Sequence, residues 1–208
     1  TIKHQNPEAF LLAEVYNPNE YRPYLHLGKM DYLYDKVQLY DTLRNIVAYG
    51  HSTDAIAPIQ RELSDISDRM LHFLENHDEQ RIASPEFAGY PEKAKPAMTV
   101  STIISESPAM LYFGQEVGER AAEWAGFGSP SRTSIFDYIG VPAHQRWTNN
   151  KRFDGGQLSD AERALRDFYQ RLFNLKVKGA YIDLHQYNRE HTPYYNDKVY
   201  SFARGNEE

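Results

Sequence analysis

The 208-residue sequence contains no cysteine. Disulfides, thiolate nucleophiles and cysteine-ligated zinc are thereby excluded. The compartment stays open, because a chain without cysteine fits cytosol, periplasm or cell surface equally. No stretch approaches the roughly 18 consecutive apolar residues of a membrane span, so no spanning helix is expected. Positive charge is in deficit: 23 Lys and Arg face 29 Asp and Glu, for a net charge of −6. No basic cluster interrupts that balance, which weighs against a nucleic-acid partner. The first nine residues are polar and begin without methionine, so they do not resemble a secretory leader. They read as the start of a chain cut from something longer.

What is present is an ordinary globular balance, 41% hydrophobic and 25% charged. Aromatic residues stand out, with 16 Tyr and 10 Phe but only 2 Trp. Tyrosine pairs an apolar face with a polar handle. Such faces serve sugar-binding clefts, although on composition alone they more often fill half-buried positions.

Short apolar runs alternate with helical stretches, the rhythm of a parallel sheet with crossover helices. Strands are expected at about residues 10–14, 31–34, 71–75 and 109–113. Val37, Tyr40, Leu43, Ile46 and Val47 recur at helical spacing, and Gly50 sits where a C-cap glycine belongs. A helical turn or two is expected within 56–67. Residues 98–104 read as a helix with Pro96 at its entry. Residues 114–132 form a glycine-rich aromatic loop, and long loops are often functional. Ser159 and Glu162 make a capping box, after which Leu165, Phe168, Leu172 and Leu175 line one helix face and Gly179 closes it. Residues 181–187 and 199–202 then read as strands with no helix between them. The change of rhythm places a boundary at Gly179: one unit over 1–179, and the start of a β domain over 180–208. About four strand–helix units precede it, where a closed parallel barrel needs eight.

Catalytic groups of parallel barrels sit at the carboxyl ends of strands. Glu14 and Asp78 both fall there. Taken singly, neither is decisive. A glutamate at a strand end is usually a solvated carboxylate. Asn76, His77 and Asp78 suit the cap of a short helix over 79–83 equally well. A lone histidine is more often a structural hydrogen-bonding residue than a base or a metal ligand.

Three segments in order change that balance. Phe10-Leu11-Leu12-Ala13-Glu14-Val15-Tyr16 resembles the fifth-strand motif of the α-amylase family, glycoside hydrolase family 13. Phe73-Leu74-Glu75-Asn76-His77-Asp78-Glu79-Gln80-Arg81 resembles its seventh-strand Asn-His-Asp motif. Pro108-Ala109-Met110-Leu111-Tyr112-Phe113-Gly114-Gln115-Glu116 is similar to its eighth strand. The resemblance implies an α/β chain forming the second half of a (β/α)8 barrel, about strands five to eight, followed by the beginning of a β-sandwich domain. It implies a retaining hydrolase of α-glucans such as starch and maltooligosaccharides, or a transglycosylase on the same site. It makes Glu14 the general acid/base and Asp78 the carboxylate that favours the distorted transition state. His77, Asn76 and Tyr16 become substrate-binding residues.

The family's nucleophile, an aspartate in a Gly-Phe-Arg-x-Asp-type motif on the fourth strand, has no counterpart here. The resemblance therefore implies a partner, the N-terminal half of the same barrel, and a fragment inactive alone. No cofactor is implied within these residues; calcium belongs to the loop domain of a full-length enzyme. The competing reading is a non-catalytic amylase-like carbohydrate-binding or scaffold protein. Such relatives typically lose the carboxylates, and Glu14, His77 and Asp78 are all present.

Overall fold

The computed structural model describes residues 2–121, 126–127, 132–133, 140–175 and 177–206. Helix α1 (Ile2–Gln5) precedes strand β1 (Leu12–Ala13), helix α2 (Tyr21–His26) and strand β2 (Tyr32–Tyr34). Helices α3 (Asp41–Tyr49) and α4 (Ile56–Glu62) lead to strand β3 (Met70–Leu71) and helix α5 (Lys95–Ile103). The three strands form one parallel sheet in the order β1-β2-β3, with Leu12 opposite Tyr32 and Leu33 opposite Met70. A parallel bridge from His72 to Ala109 adds the next segment to the β3 edge. Consecutive strands are thus neighbours joined by helical crossovers, the economical way to build a parallel sheet.

The paired stretches are shorter than the apolar runs that announce them, and side chains supply the reason. The Leu11 N–H donates to the Asp31 carboxylate at 2.7 Å rather than to a strand carbonyl. That removes one backbone donor from the ladder at the start of β1. At the fourth segment, the Tyr112 N–H donates to the Gln115 side chain and the Tyr112 carbonyl accepts from Gln115 N. The chain turns there instead of continuing extended.

Local helix signals act as expected. Gly50 ends α3 in the left-handed conformation, φ 67°, where a Cβ is disfavoured. Pro96 lies in the first turn of α5. After helix α6 (Pro142–Thr148), helix α7 (Asp160–Asn174) opens with the Ser159–Glu162 capping box formed in both directions. Two details differ. Helix α7 ends at Asn174, and Leu175, beyond its last turn, is exposed; Tyr169 joins Leu165 and Leu172 in the buried stripe instead. Gly179, at φ 102°, opens the next strand rather than closing the helix.

Two further pairs are antiparallel. Strands β4 (Gly126–Phe127) and β5 (Arg132–Thr133) pair within the expected long loop, most of whose other residues past 121 lie outside those described. Strands β6 (Ala180–Asp183) and β7 (Phe202–Gly205) pair with each other, but helix α8 (Leu184–His191) stands between them. The expectation of uninterrupted strands there is corrected. Asp183 ends β6 and its carboxylate accepts the Gln186 N–H, capping a helix whose polar sequence hides its periodicity.

Two apolar clusters hold the sheet. Val15, Tyr21, Leu25, Leu33, Ile59, Leu63 and Met70 pack together where α2 and α4 meet the strands. A larger cluster joins Leu39, Leu43, Phe73, Leu74, Phe87 and Met98 to Leu165 and Leu172 of α7. Each fully buried Leu, Phe or Met contributes roughly 1.5–3 kcal/mol. Tyr181, Tyr200 and Phe202 pack onto the same cluster, so the β6–β7 pair shares a core with what precedes it. No helix among the described residues is long and apolar enough to cross a membrane.

Candidate active site

Because β1, β2 and β3 run parallel, their carboxyl ends share one rim. Glu14 follows β1 directly, Asp35 follows β2, and residues 75–79 follow β3 after Phe73 and Leu74. The carboxylates of Glu14 and Asp78 and a ring nitrogen of His77 lie within 4.8 Å of one another. His77 Nε2 stands 3.4 Å from Asp78 Oδ2, with the two side chains 40% and 47% exposed. The structure therefore brings together three residues drawn from two strand ends.

Asn76 is buried. Its Oδ1 accepts the backbone N–H groups of both Asp78 and Glu79 at 2.9 Å. This is cap-like geometry, but no helix follows over 79–83. The side chain instead folds the loop so that Asp78 projects outward. Tyr16 is exposed, and its phenol sits in the field of the site. Burial raises its pKa first, then the charges of Glu14, Asp78 and Glu79, while Lys36 opposes them.

Beneath the rim lies a buried polar layer. Glu75 and Arg81 are 1% and 0% exposed as side chains and pair at 2.8 Å. Glu75 also accepts the Ile82 N–H at 2.6 Å. Arg81 donates to the Phe113 carbonyl and to Thr133 Oγ1, with its guanidinium 4.5 Å from the centre of the Tyr112 ring. This one side chain ties the loop after β3 to the segment bridged at Ala109. Burial pushes the Glu75 carboxyl up, although Arg81 works against that. Asp35 is also buried, and its Oδ1 accepts the Leu39 N–H at 2.8 Å. Burial pushes its pKa up to about 7. His72 Nε2 lies 3.6 Å from Asp35 Oδ2, and Nδ1 meets the Ser101 carbonyl at 2.8 Å. Burial pulls the His72 pKa down to about 4.

These supporting groups, Asp35, His72, Glu75 and Arg81, carry no role in the sequence reading. The available signal is weak: charged residues interrupting or directly flanking apolar runs. An apolar recess of about 390 Å³ lined by Pro91, Val117, Ala143 and Leu165 contains none of the rim residues.

Comparison with solved structures adds the wider setting. A cyclic α-maltosyl-(1→6)-maltose hydrolase from Arthrobacter globiformis, in complex with maltose, superposes with TM-score 0.58 at 18% identity. The match covers 88% of this chain and 38% of that one. An α-amylase from H. orenii gives TM-score 0.58 at 18% identity, over 99% of this chain and 43% of that one. An Anoxybacillus α-amylase gives 0.57 at 18%, over 99% and 40%. This is the fold of the α-amylase family. The chain spans about 40% of the length of these three α-amylase-fold structures. No family model matches the sequence, and no curated protein matches it significantly.

Proposed function

We propose that this chain is part of a retaining glycoside hydrolase acting on α-glucans, with Glu14 as its general acid/base. The observation that carries the reading is the convergence of Glu14, His77 and Asp78 at the carboxyl rim of a parallel sheet with the α-amylase fold. In this reading the four parallel segments are strands five to eight of a (β/α)8 barrel, and β6–β7 begins a C-terminal β domain after Gly179.

The chemistry follows from what a glycosidic bond needs. Its oxygen leaves poorly unless protonated, and Glu14 supplies the proton. A second carboxylate attacks the anomeric carbon from the opposite face, about 5–5.5 Å away in retaining enzymes. The sequence contains no counterpart of that nucleophile's motif, so the second carboxylate comes from a companion barrel half. Asp78 holds ring hydroxyls and favours the oxocarbenium-like state. His77 donates a hydrogen bond that strengthens as charge develops. Asn76 shapes the loop, and Tyr16 offers an exposed ring for a sugar face. Calcium is not assigned to this rim. Glu14, His77 and Asp78 are the one three-donor group among the described residues, and an imidazole does not suit the all-oxygen shell calcium takes.

The test compares substrates in a longer protein that supplies the nucleophile. Glu14→Gln should slow maltohexaose hydrolysis by about 10²–10⁴-fold, the usual worth of acid–base assistance. It should slow α-maltosyl fluoride far less, because fluoride leaves without a proton. Equal losses on both would remove Glu14 from the role of acid. The 208-residue chain alone should release no reducing sugar.

A further inference from the structure

The loop carrying His77 and Asp78 is held from outside by residues that no motif singles out. Lys36 opens a π-helical turn (Lys36–Tyr40) at the carboxyl end of β2. Its Nζ lies 2.7 Å from Asp41 Oδ1 and 3.2 Å from Glu79 Oε1. Tyr40, at the end of the same turn, donates its hydroxyl to Glu79 Oε2 at 3.0 Å. Both oxygens of Glu79 are therefore engaged by one turn of the neighbouring strand. Tyr40 is itself fixed, with its ring stacked on Phe73 at 4.8 Å and 8°.

Asp78 is thus bracketed. Asn76 Oδ1 takes the Asp78 and Glu79 amides on one side, and Lys36 with Tyr40 takes the Glu79 carboxylate on the other. Charge is arranged to match. Burial works against the Lys36 ammonium, but Asp41 and Glu79 outweigh it and hold its pKa above the ordinary value. Lys36 is also the one cation among the groups that shift the Tyr16 phenol, where it opposes Glu14, Asp78 and Glu79.

We infer that Lys36, Glu79 and Tyr40 form a clamp that positions the Asp78 loop and offsets the negative charge of the rim. They are positioning residues, and their bearing on glycoside cleavage rests on the reading above. The clamp itself is measurable without sugar, so a failed hydrolysis test and a failed clamp are told apart.

The experiment is amide hydrogen exchange by NMR on the 208-residue chain, with Tyr16 ionisation followed through its ring carbon. Lys36→Met should speed exchange at Asp78 and Glu79 about tenfold, the scale of one lost hydrogen bond to a charged group. Amides of α7 should keep their rates. Lys36→Arg, which retains the cation, should return exchange close to wild type. The Tyr16 midpoint should rise in Lys36→Met, because a cation that favours phenolate is gone. It should fall in Glu79→Gln, because an anion that disfavours phenolate is gone. Tyr40→Phe keeps the stacked ring, removes only the hydroxyl, and should also speed exchange at Glu79; it serves if Lys36→Met does not fold. Unchanged exchange at Asp78 and Glu79 in Glu79→Gln and Tyr40→Phe would overturn the clamp. So would a Tyr16 midpoint that moves the same way in Lys36→Met and Glu79→Gln.

Discussion

Glu14 and Asp35 occupy equivalent places, each the first residue after a parallel strand, yet they live in different media. Glu14 is exposed beside Asp78 and His77; Asp35 is 1% exposed and caps the turn that follows it. Glu75 and Asp78 repeat the contrast within one loop. Glu75 is buried against Arg81, while Asp78, three residues on, is half exposed. Position at a strand end therefore does not assign a job to a carboxylate. Burial and partners do. The outer pair lies exposed at the rim, and the inner pair is bonded to the loops beside it. If that division is right, damage to the inner layer appears as lost stability, and damage to the outer layer leaves stability alone.

The largest effect should come from Arg81→Met. Breaking a buried ion pair by removing one partner costs about 3–5 kcal/mol, because the other charge stays behind. The orphan here is Glu75, whose carboxyl burial already raises. Without Arg81 its folded pKa would rise further above the unfolded one. A group raised on folding contributes stability that is lost as pH increases. Denaturant melts should therefore show Arg81→Met more destabilised at pH 8 than at pH 5. Adding Glu75→Leu should recover part of the loss, and a strictly additive double mutant would argue that the two side chains do not act as a pair.

The Asp35–His72 pair should give a smaller effect with a distinctive sign. Folding raises Asp35 to about 7 and lowers His72 to about 4. Between about pH 4 and 6.5 the unfolded pair carries its proton on histidine, and the folded pair carries it on aspartate. The proton count is equal in both states, so the pair adds almost no pH dependence in that window. Single variants unmask the halves. In Asp35→Asn only His72 remains, its folded pKa depressed, and stability should rise from pH 4 to 6.5. In His72→Gln only Asp35 remains, its folded pKa raised, and stability should fall from pH 4 to 7. Each trend should be on the order of 2 kcal/mol. Two slopes of the same sign would break the pairing.

The sequence made part of this readable. The strand–helix alternation, the Ser159–Glu162 capping box and the Gly50 cap depend on local rules, and local rules survive folding. Glu14, His77 and Asp78 stand out because they sit in two of three motif segments that occur in order, and the structure brings their polar groups within 4.8 Å of one another. The inner layer was hidden for the opposite reason. Nothing near Lys36 in the chain announces Glu79, and nothing near Arg81 announces Phe113 or Thr133. Those pairings exist only once parallel strands lie side by side. Helix α8 was missed because its residues are mostly polar and its start depends on one cap, Asp183.

The smallest expected effect sharpens the comparison most. Asp78→Asn keeps the shape of a side chain 47% exposed and removes its charge. The loop around it is shaped by Asn76, whose Oδ1 accepts the backbone amides of Asp78 and Glu79. Surface substitutions away from caps and buried networks usually change stability by no more than about 0.5 kcal/mol. Asp78→Asn should stay inside that range by denaturant melts, even though Glu75 in the same loop belongs to a pair whose disruption is costly. On the proposed reading, in a longer protein that supplies the nucleophile, the same variant should slow maltohexaose and α-maltosyl fluoride alike, since the charge assigned to the developing cation is lost whatever the leaving group. A loss of 2 kcal/mol or more in stability would place Asp78 in the structural layer with Glu75, and the division between an inner layer that holds and an outer rim that acts would fail at the residue where it is drawn most finely.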